Sequence, residues 1–290
     1  RADLVAQPRV LAGLDLALEH VVVRLKGGQW TSRGELGKLR GGGVRQPDAA
    51  RLSRVEQVFQ GAGRLGPGDV RVGGMRVVAL AAVALGAPDR AFTFAVPTGN
   101  FGNIYAGYGA RQMGLPVERL IVGSNRNDIL TRFFGTGRMQ IETVQPSLSP
   151  SMDIQVSSNL ERLLFDLYSR DGAAMAQAMA SFRRNGNLAI GEARWQMARA
   201  LFDAYPCDGQ ETLAAIASLH RQTGELIDPH SAIGVAAAHL GARGDGVPVV
   251  ALATAHPAKF PDAVEKATGL RPALPQRLAA DTQHLRGLGR

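Results

Sequence analysis

Residues 91–107 read AFTFAVPTGNFGNIYAG. An apolar run over residues 90–96 stops at Pro97. Glycines and asparagines then flank a single phenylalanine, and NIYAGYGARQMG, residues 103–114, continues at helical spacing as far as Gly114. This order predicts a buried strand, a glycine loop and a helix, with Gly114 closing the helix in the left-handed conformation that glycine adopts easily. Such a loop suits an anion. Its glycines let backbone N–H groups approach a phosphate without interference from Cβ, and the helix adds free N–H groups and the positive end of its dipole. The alternative is a plain tight turn. The loop is neither a G-x-G-x-x-G nor a P-loop ending in Gly-Lys-Ser/Thr, so a nucleotide site of those kinds is excluded.

Working outward, ERLIVGSN at residues 118–125 predicts a second apolar strand, and NDILTRFFGTG at 127–137 a helix with an Asn or Asp N-cap and a glycine stop. Strand, loop, helix, strand, helix is the pattern of an α/β fold with a parallel or mixed sheet flanked by helices. Residues 157–172, 191–206 and 211–224 each predict an amphipathic helix. Asp228 and Pro229 open another, as N-cap and first helical residue. VPVVALATAHP, residues 247–257, predicts a buried strand, and residues 260–269 a short closing helix.

Ligands of open α/β sheets collect beyond the carboxyl ends of the strands. ALATAHPAKF, residues 251–260, places Thr254 there, where its hydroxyl could meet a heteroaromatic ligand; without the glycine loop it would read as an ordinary strand-end threonine. His256, before Pro257, reads as a structural hydrogen-bond partner. His230, at a well-capped helix start, is a candidate to face the cleft. Ser151 and Asp153 lie in a loop-to-helix entry, with Asp153 as a capping residue and no chemical role assigned.

The 290 residues, 45% of them hydrophobic, are enough for a sizeable core. No apolar run approaches the roughly 20 residues of a membrane span, and no signal segment is visible at the start. The first residue is Arg1, so the chain reads as a fragment or a processed form. One cysteine, Cys207, gives no disulfide framework and reads as a bystander in a reducing compartment; a cytoplasmic location is the expectation. The net charge of +8 raises nucleic-acid binding, but its distribution argues against it. Residues 1–80 hold 13 basic and 7 acidic side chains, whereas residues 81–290 hold 20 and 18. The excess is scattered among glycines, seven of them in residues 25–46, with no sustained periodicity. Residues 1–80 therefore read as a Gly/Arg-rich, partly disordered or aberrant segment, with strand-like and helix-like pieces around residues 3–25 and 75–87. Residues 81–290 read as the α/β domain.

Five segments, residues 95–116, 119–137, 149–167, 228–237 and 252–269, resemble threonine synthases in order and spacing, over about residues 81–278. The resemblance implies a fold-type II pyridoxal-phosphate enzyme that converts O-phospho-L-homoserine and water into L-threonine and phosphate. It implies pyridoxal 5′-phosphate as cofactor, a small phosphorylated amino acid as substrate, and neither nucleic acid nor membrane as partner. The cofactor's 5′-phosphate would rest on Gly99, Asn100, Phe101, Gly102 and Asn103, and its pyridine nitrogen would meet Thr254. No metal is implied.

The resemblance also demands a lysine that forms a Schiff base with the cofactor, upstream of the glycine loop. The chain has four lysines: Lys26, Lys38, Lys259 and Lys266. The first two lack the family motif, Lys259 already holds its own place in HPAKF, and Lys266 reads as a surface residue. No catalytic residue is assigned. A shifted reading frame across residues 1–80, or a separate N-terminal partner chain bearing the lysine, would account for this. The alternative function is a non-catalytic remnant of the family that binds a phosphorylated ligand or a partner protein.

Overall fold

The computed structural model describes residues 87–274, together with Val21–Arg24, Trp30–Thr31, Val78, Ala81 and Ala82. The strands are β1 (Val21–Arg24), β2 (Trp30–Thr31), β3 (Phe92–Pro97), β4 (Val117–Ser124), β5 (Arg138–Gln140), β6 (Asn187–Ala189), β7 (Phe202–Pro206) and β8 (Val249–Leu252). The helices are α1 (Gly102–Gln112), α2 (Ile129–Thr136), α3 (Leu160–Leu167), α4 (Gly172–Asn185), α5 (Glu192–Arg199), α6 (Gly209–Thr223), α7 (Pro229–Gly241) and α8 (Pro261–Thr268).

Six strands form one mixed sheet in the order β2-β1-β8-β3-β4-β7. The four strands from β8 to β7 run parallel, and β1 joins β8 antiparallel with Val21 opposite Leu252. A separate hairpin-like pair joins β5 to β6. The parallel strands are short apolar runs because helices cover both faces. Side chains of a strand alternate between faces. Phe92, Phe94 and Val96 of β3, Leu120 and Val122 of β4, and Val250 and Leu252 of β8 therefore meet α1 to α3 in the larger core. Ala95, Ile121, Val249 and Ala251 face the other way, toward α6 and α7. Val78, Ala81 and Ala82 are helical and buried in the larger core, where a buried helix was expected.

The face toward α7 is built from small residues, and that sets the helix position. A Cβ on Gly123 would lie 2.9 Å from the Ile233 carbonyl oxygen, and one on Gly234 would lie 2.8 Å from Pro97 Cδ. The backbone of α7 thus rides directly on the ends of β3 and β4, carrying its N-terminus to the glycine loop.

Two sequence expectations need correction. Residues 191–206 are not one helix: α5 stops at Arg199 and residues 202–206 form β7. Phe202 and Tyr205 fit either periodicity, and pairing with β4 decides for the strand, aided by Arg119, whose guanidinium bridges to the Asp203 carboxylate. Asp153 does not cap the following helix, which begins at Leu160. Its carboxylate instead accepts from Asn125 Nδ2 (2.7 Å), Asn127 Nδ2 (2.9 Å) and both the backbone N–H and the hydroxyl of Ser147 (2.9 and 2.6 Å). It ties the loop after β4 to residues 147–153.

Candidate active site

The loop between β3 and α1 is held at three points. Thr98 donates its N–H to Gly123 O at 2.8 Å and its hydroxyl to Val96 O at 2.7 Å, which continues the strand geometry into the loop. Asn100 Oδ1 accepts from the backbone N–H of Ser158 at 2.8 Å and from its hydroxyl at 2.9 Å. Phe101 is the third anchor. It adopts a left-handed conformation, φ 64° and ψ 5°, which costs a residue with a Cβ. Its ring is fully buried, with centroids 6.0 Å from Phe134 and 5.8 Å from Phe202. Burial of the ring holds the backbone in the turn that aims the start of α1 outward.

Gly99 must be glycine for a different reason. A Cβ there would come within 3.0 Å of Met152 Cα and 3.3 Å of the Ser151 carbonyl oxygen. The 3-10 turn Pro150–Met152 forms the wall against which the loop is pressed.

The N-terminus of α1 receives no side-chain cap, and its first turn holds no acidic residue. Its first N–H groups therefore have no helical acceptor. They border a cavity of about 260 Å³ whose lining includes Gly99, Asn100, Phe101, Gly102, Asn103 and Thr254. The six residues that the resemblance assigns to the cofactor thus converge on one space. His230 and Lys259 line it too, and among the described residues no carboxylate does. A cavity rimmed by free N–H donors, a helix N-terminus and a lysine, without a negative side chain, favours an anion.

Opposite the loop, β8 ends at Leu252 and the chain turns. Thr254 donates its N–H to Ser231 Oγ at 3.0 Å, while its hydroxyl makes no hydrogen bond among the described residues. His256 Nδ1 accepts from Ala258 N–H at 3.1 Å, as expected of a structural partner. That turn presents Lys259. Asp228 caps α7 as expected, accepting from His230 N–H (2.8 Å) and Ser231 N–H (3.4 Å). Sequence reasoning gave no site role to Met152, Asn159 or Phe260, which also line the cavity. Their segments match the family pattern, but apolar and amide side chains carry no chemical signature that would single them out.

Cys207 is buried, and burial pushes its thiol up to about 11. It stays protonated near neutral pH and is a poor nucleophile. Among the described residues no helix is long and apolar enough to cross a membrane, and no group of His, Cys, Asp and Glu could hold a metal ion.

An open, mostly parallel α/β sheet with an uncapped glycine loop beyond one strand and a hydroxyl beyond its neighbour is the architecture this chain shares with solved threonine synthases. The profile of the family described as threonine synthase, C-terminal, matches residues 231–284. The threonine synthase of Pseudomonas aeruginosa is 56% identical over 200 residues, which cover 69% of this chain and 43% of that protein. The Corynebacterium glutamicum enzyme is 40% identical over 198 residues, 66% of this chain and 41% of that one. The crystal structure of threonine synthase from Brucella melitensis, solved with PLP bound, superposes with a TM-score of 0.70 at 42% identity, covering 85% of this chain and 51% of that one. This chain carries a segment of the threonine synthase family. It spans less than half the length of the curated relatives quoted.

Proposed function

We propose that this chain forms the cofactor-holding part of a threonine synthase, an enzyme that uses pyridoxal 5′-phosphate to convert O-phospho-L-homoserine and water into L-threonine and phosphate. The observation that carries this reading is the convergence of the uncapped α1 loop and Thr254 on one cavity free of carboxylates. The fit is chemical as well as spatial. The loop offers backbone donors to a phosphate. The Gly99 contact with the Ser151–Met152 turn shapes a cradle that a Cβ would fill. Thr254 brings a hydroxyl with no partner among the described residues to the other side.

In this reading the backbone N–H groups of residues 99–103 hold the 5′-phosphate, and Thr254 meets the pyridine nitrogen. When bound, the cofactor's ring supplies an electron sink for chemistry at the amino-acid substrate. Thr254, being neutral, does not force a proton onto that ring nitrogen as a carboxylate would. Phe101 keeps the loop fixed from inside the core. Lys259, Phe260 and the start of α7 at His230 border the cavity on the opposite side. Lys259 contributes the one cationic head group among the lining residues. The domain reading follows the same line: residues 81–290 form the C-terminal part of the enzyme, and the Schiff-base lysine belongs to a part that these residues do not supply. Cytoplasmic action fits the single buried thiol.

The test uses the 290-residue chain. Titration with pyridoxal 5′-phosphate, followed by visible absorbance and fluorescence, is expected to give saturable binding that inorganic phosphate displaces. Absence of saturable binding would sink the proposal. Borohydride treatment and peptide mass mapping then locate any lysine adduct. Binding without an adduct restricts the chain to holding the cofactor, and addition of a lysine-bearing N-terminal part of a relative should then restore turnover.

A further inference from the structure

His230 sits at the second position of α7 and lines the cavity, and its ring is almost wholly buried. Its Nδ1 lies 2.9 Å from Asp228 Oδ1. Asp228 is fully buried and accepts from His230 N–H, Ser231 N–H and the Ser231 hydroxyl. Asp228 thus serves as an acceptor toward each of its other partners, and Nδ1, facing the same Oδ1, is placed to donate to it as well. In the neutral imidazole this leaves Nε2 as a bare lone pair. Nε2 is buried and has no hydrogen-bond partner among the described residues. The Phe260 ring, with its centroid 4.7 Å from that of His230, covers one face of the imidazole, and Phe260 lines the same cavity.

We propose that His230 is the proton-accepting, ligand-positioning residue of this site, its Nε2 receiving an N–H or O–H of the molecule bound against the α1 loop. The proposal rests on the cofactor reading above and adds a requirement to it: the occupant presents a donor as well as a phosphate. Asp228 sets the tautomer and, through the Ser231 hydroxyl and the Thr254 N–H, ties His230 to the end of β8. One buried carboxylate thereby fixes two of the groups that face the ligand. Buried polar groups are nearly always paired in folded proteins, so an orphaned acceptor beside a cavity marks where a partner belongs.

The experiment labels the histidines of the full chain with 15N and records two-bond 1H–15N spectra, with His230→Gln identifying the His230 signals. The free protein is expected to show His230 protonated at Nδ1 and bare at Nε2. Pyridoxal 5′-phosphate, whose tautomer with an unprotonated ring nitrogen carries a phenolic O–H, should move the Nε2 resonance upfield. Sulfate, which competes for the loop and has no proton to give, should leave it in place. In the same titrations His230→Phe should bind pyridoxal 5′-phosphate about tenfold more weakly. A free protein protonated at Nε2, or cofactor binding that leaves Nε2 unmoved, overturns this assignment while the cofactor reading stands. Protonation of Nε2 by sulfate would make His230 an anion-binding cation and overturn it equally. Failure of pyridoxal 5′-phosphate to bind at all overturns both.

Discussion

Two cavities of similar size border the starts of two helices. One, about 260 Å³, adjoins α1; the other, about 210 Å³, adjoins α6 and is lined in part by Cys207, Asp208, Gly209 and Thr212. Their helix ends are treated in opposite ways. At α6, Asp208 accepts from Glu211 N–H at 2.8 Å and Glu211 returns the bond to Asp208 N–H at 2.8 Å, a complete capping box. Two of the donors at this helix start are satisfied by side chains, and the Asp208 carboxylate stands in the cavity lining. At α1 the N-cap is Phe101, whose side chain turns into the core and leaves the donors to the cavity. Volume alone does not make an anion site. What distinguishes the two is whether side chains of the helix's own start meet its donors: a capping box does so in part at α6, and no side chain does at α1.

Four experiments would break or sharpen that contrast. The largest effect is expected at Phe101. Phe101→Ala should destabilise the fold by about 3–5 kcal/mol through loss of the buried ring. Phe101→Gly, which relieves the left-handed backbone, should be milder by about 1 kcal/mol, reversing the usual order of alanine and glycine. Urea unfolding of the pair reads this directly, and equal losses would remove strain from the account.

Gly99→Ala comes next, at about 1–3 kcal/mol, because its Cβ meets backbone atoms that cannot swing aside. It should also weaken pyridoxal 5′-phosphate binding in a fluorescence titration by more than its stability cost predicts, since the loop itself must shift.

Asp208→Ala removes one side of the capping box and should cost about 1 kcal/mol. Cofactor affinity at α1 should not change, and a parallel loss there would join the two helix ends that geometry separates.

Cys207 gives the smallest effect. Folding favours its protonated form, because the thiol is pushed up to about 11 from an ordinary 9.0. Its contribution to stability is whole below pH 9 and is lost between pH 9 and about 11. At pH 8, iodoacetamide should label the native chain far more slowly than the urea-unfolded one. Rapid native labelling would show the α6 cavity to be open to reagents.

Much of this arrangement was legible from residues alone. The apolar run over residues 90–96, the loop glycines, and the Asp228-Pro229 helix start declare themselves locally, through sterics and hydrogen bonding over a few neighbours. β7 did not, since Phe202 and Tyr205 satisfy either period and only the neighbouring β4 settles the matter. β5 and β6 are three residues each, too short for any period to register. Asp153 was misplaced because its four donors come from Asn125, Asn127 and Ser147, which no local pattern brings together. For the site, the loop and Thr254 could be paired through family likeness, but the orphaned Nε2 of His230 is a property of packing that no sequence spacing records.

The antiparallel seat of β1 on β8 has a consequence for handling the molecule. The strand whose end carries Thr254 lies between β3 and a neighbour contributed from more than two hundred residues earlier. A chain trimmed to the segment shared with its relatives would strip that neighbour away and turn β8 into an open sheet edge. Its unpaired N–H and C=O groups would offer a template to any other strand, including the same strand of a second molecule. Shortening the protein to its most recognisable part would thus leave the strand that leads to Thr254 as an aggregation-prone edge.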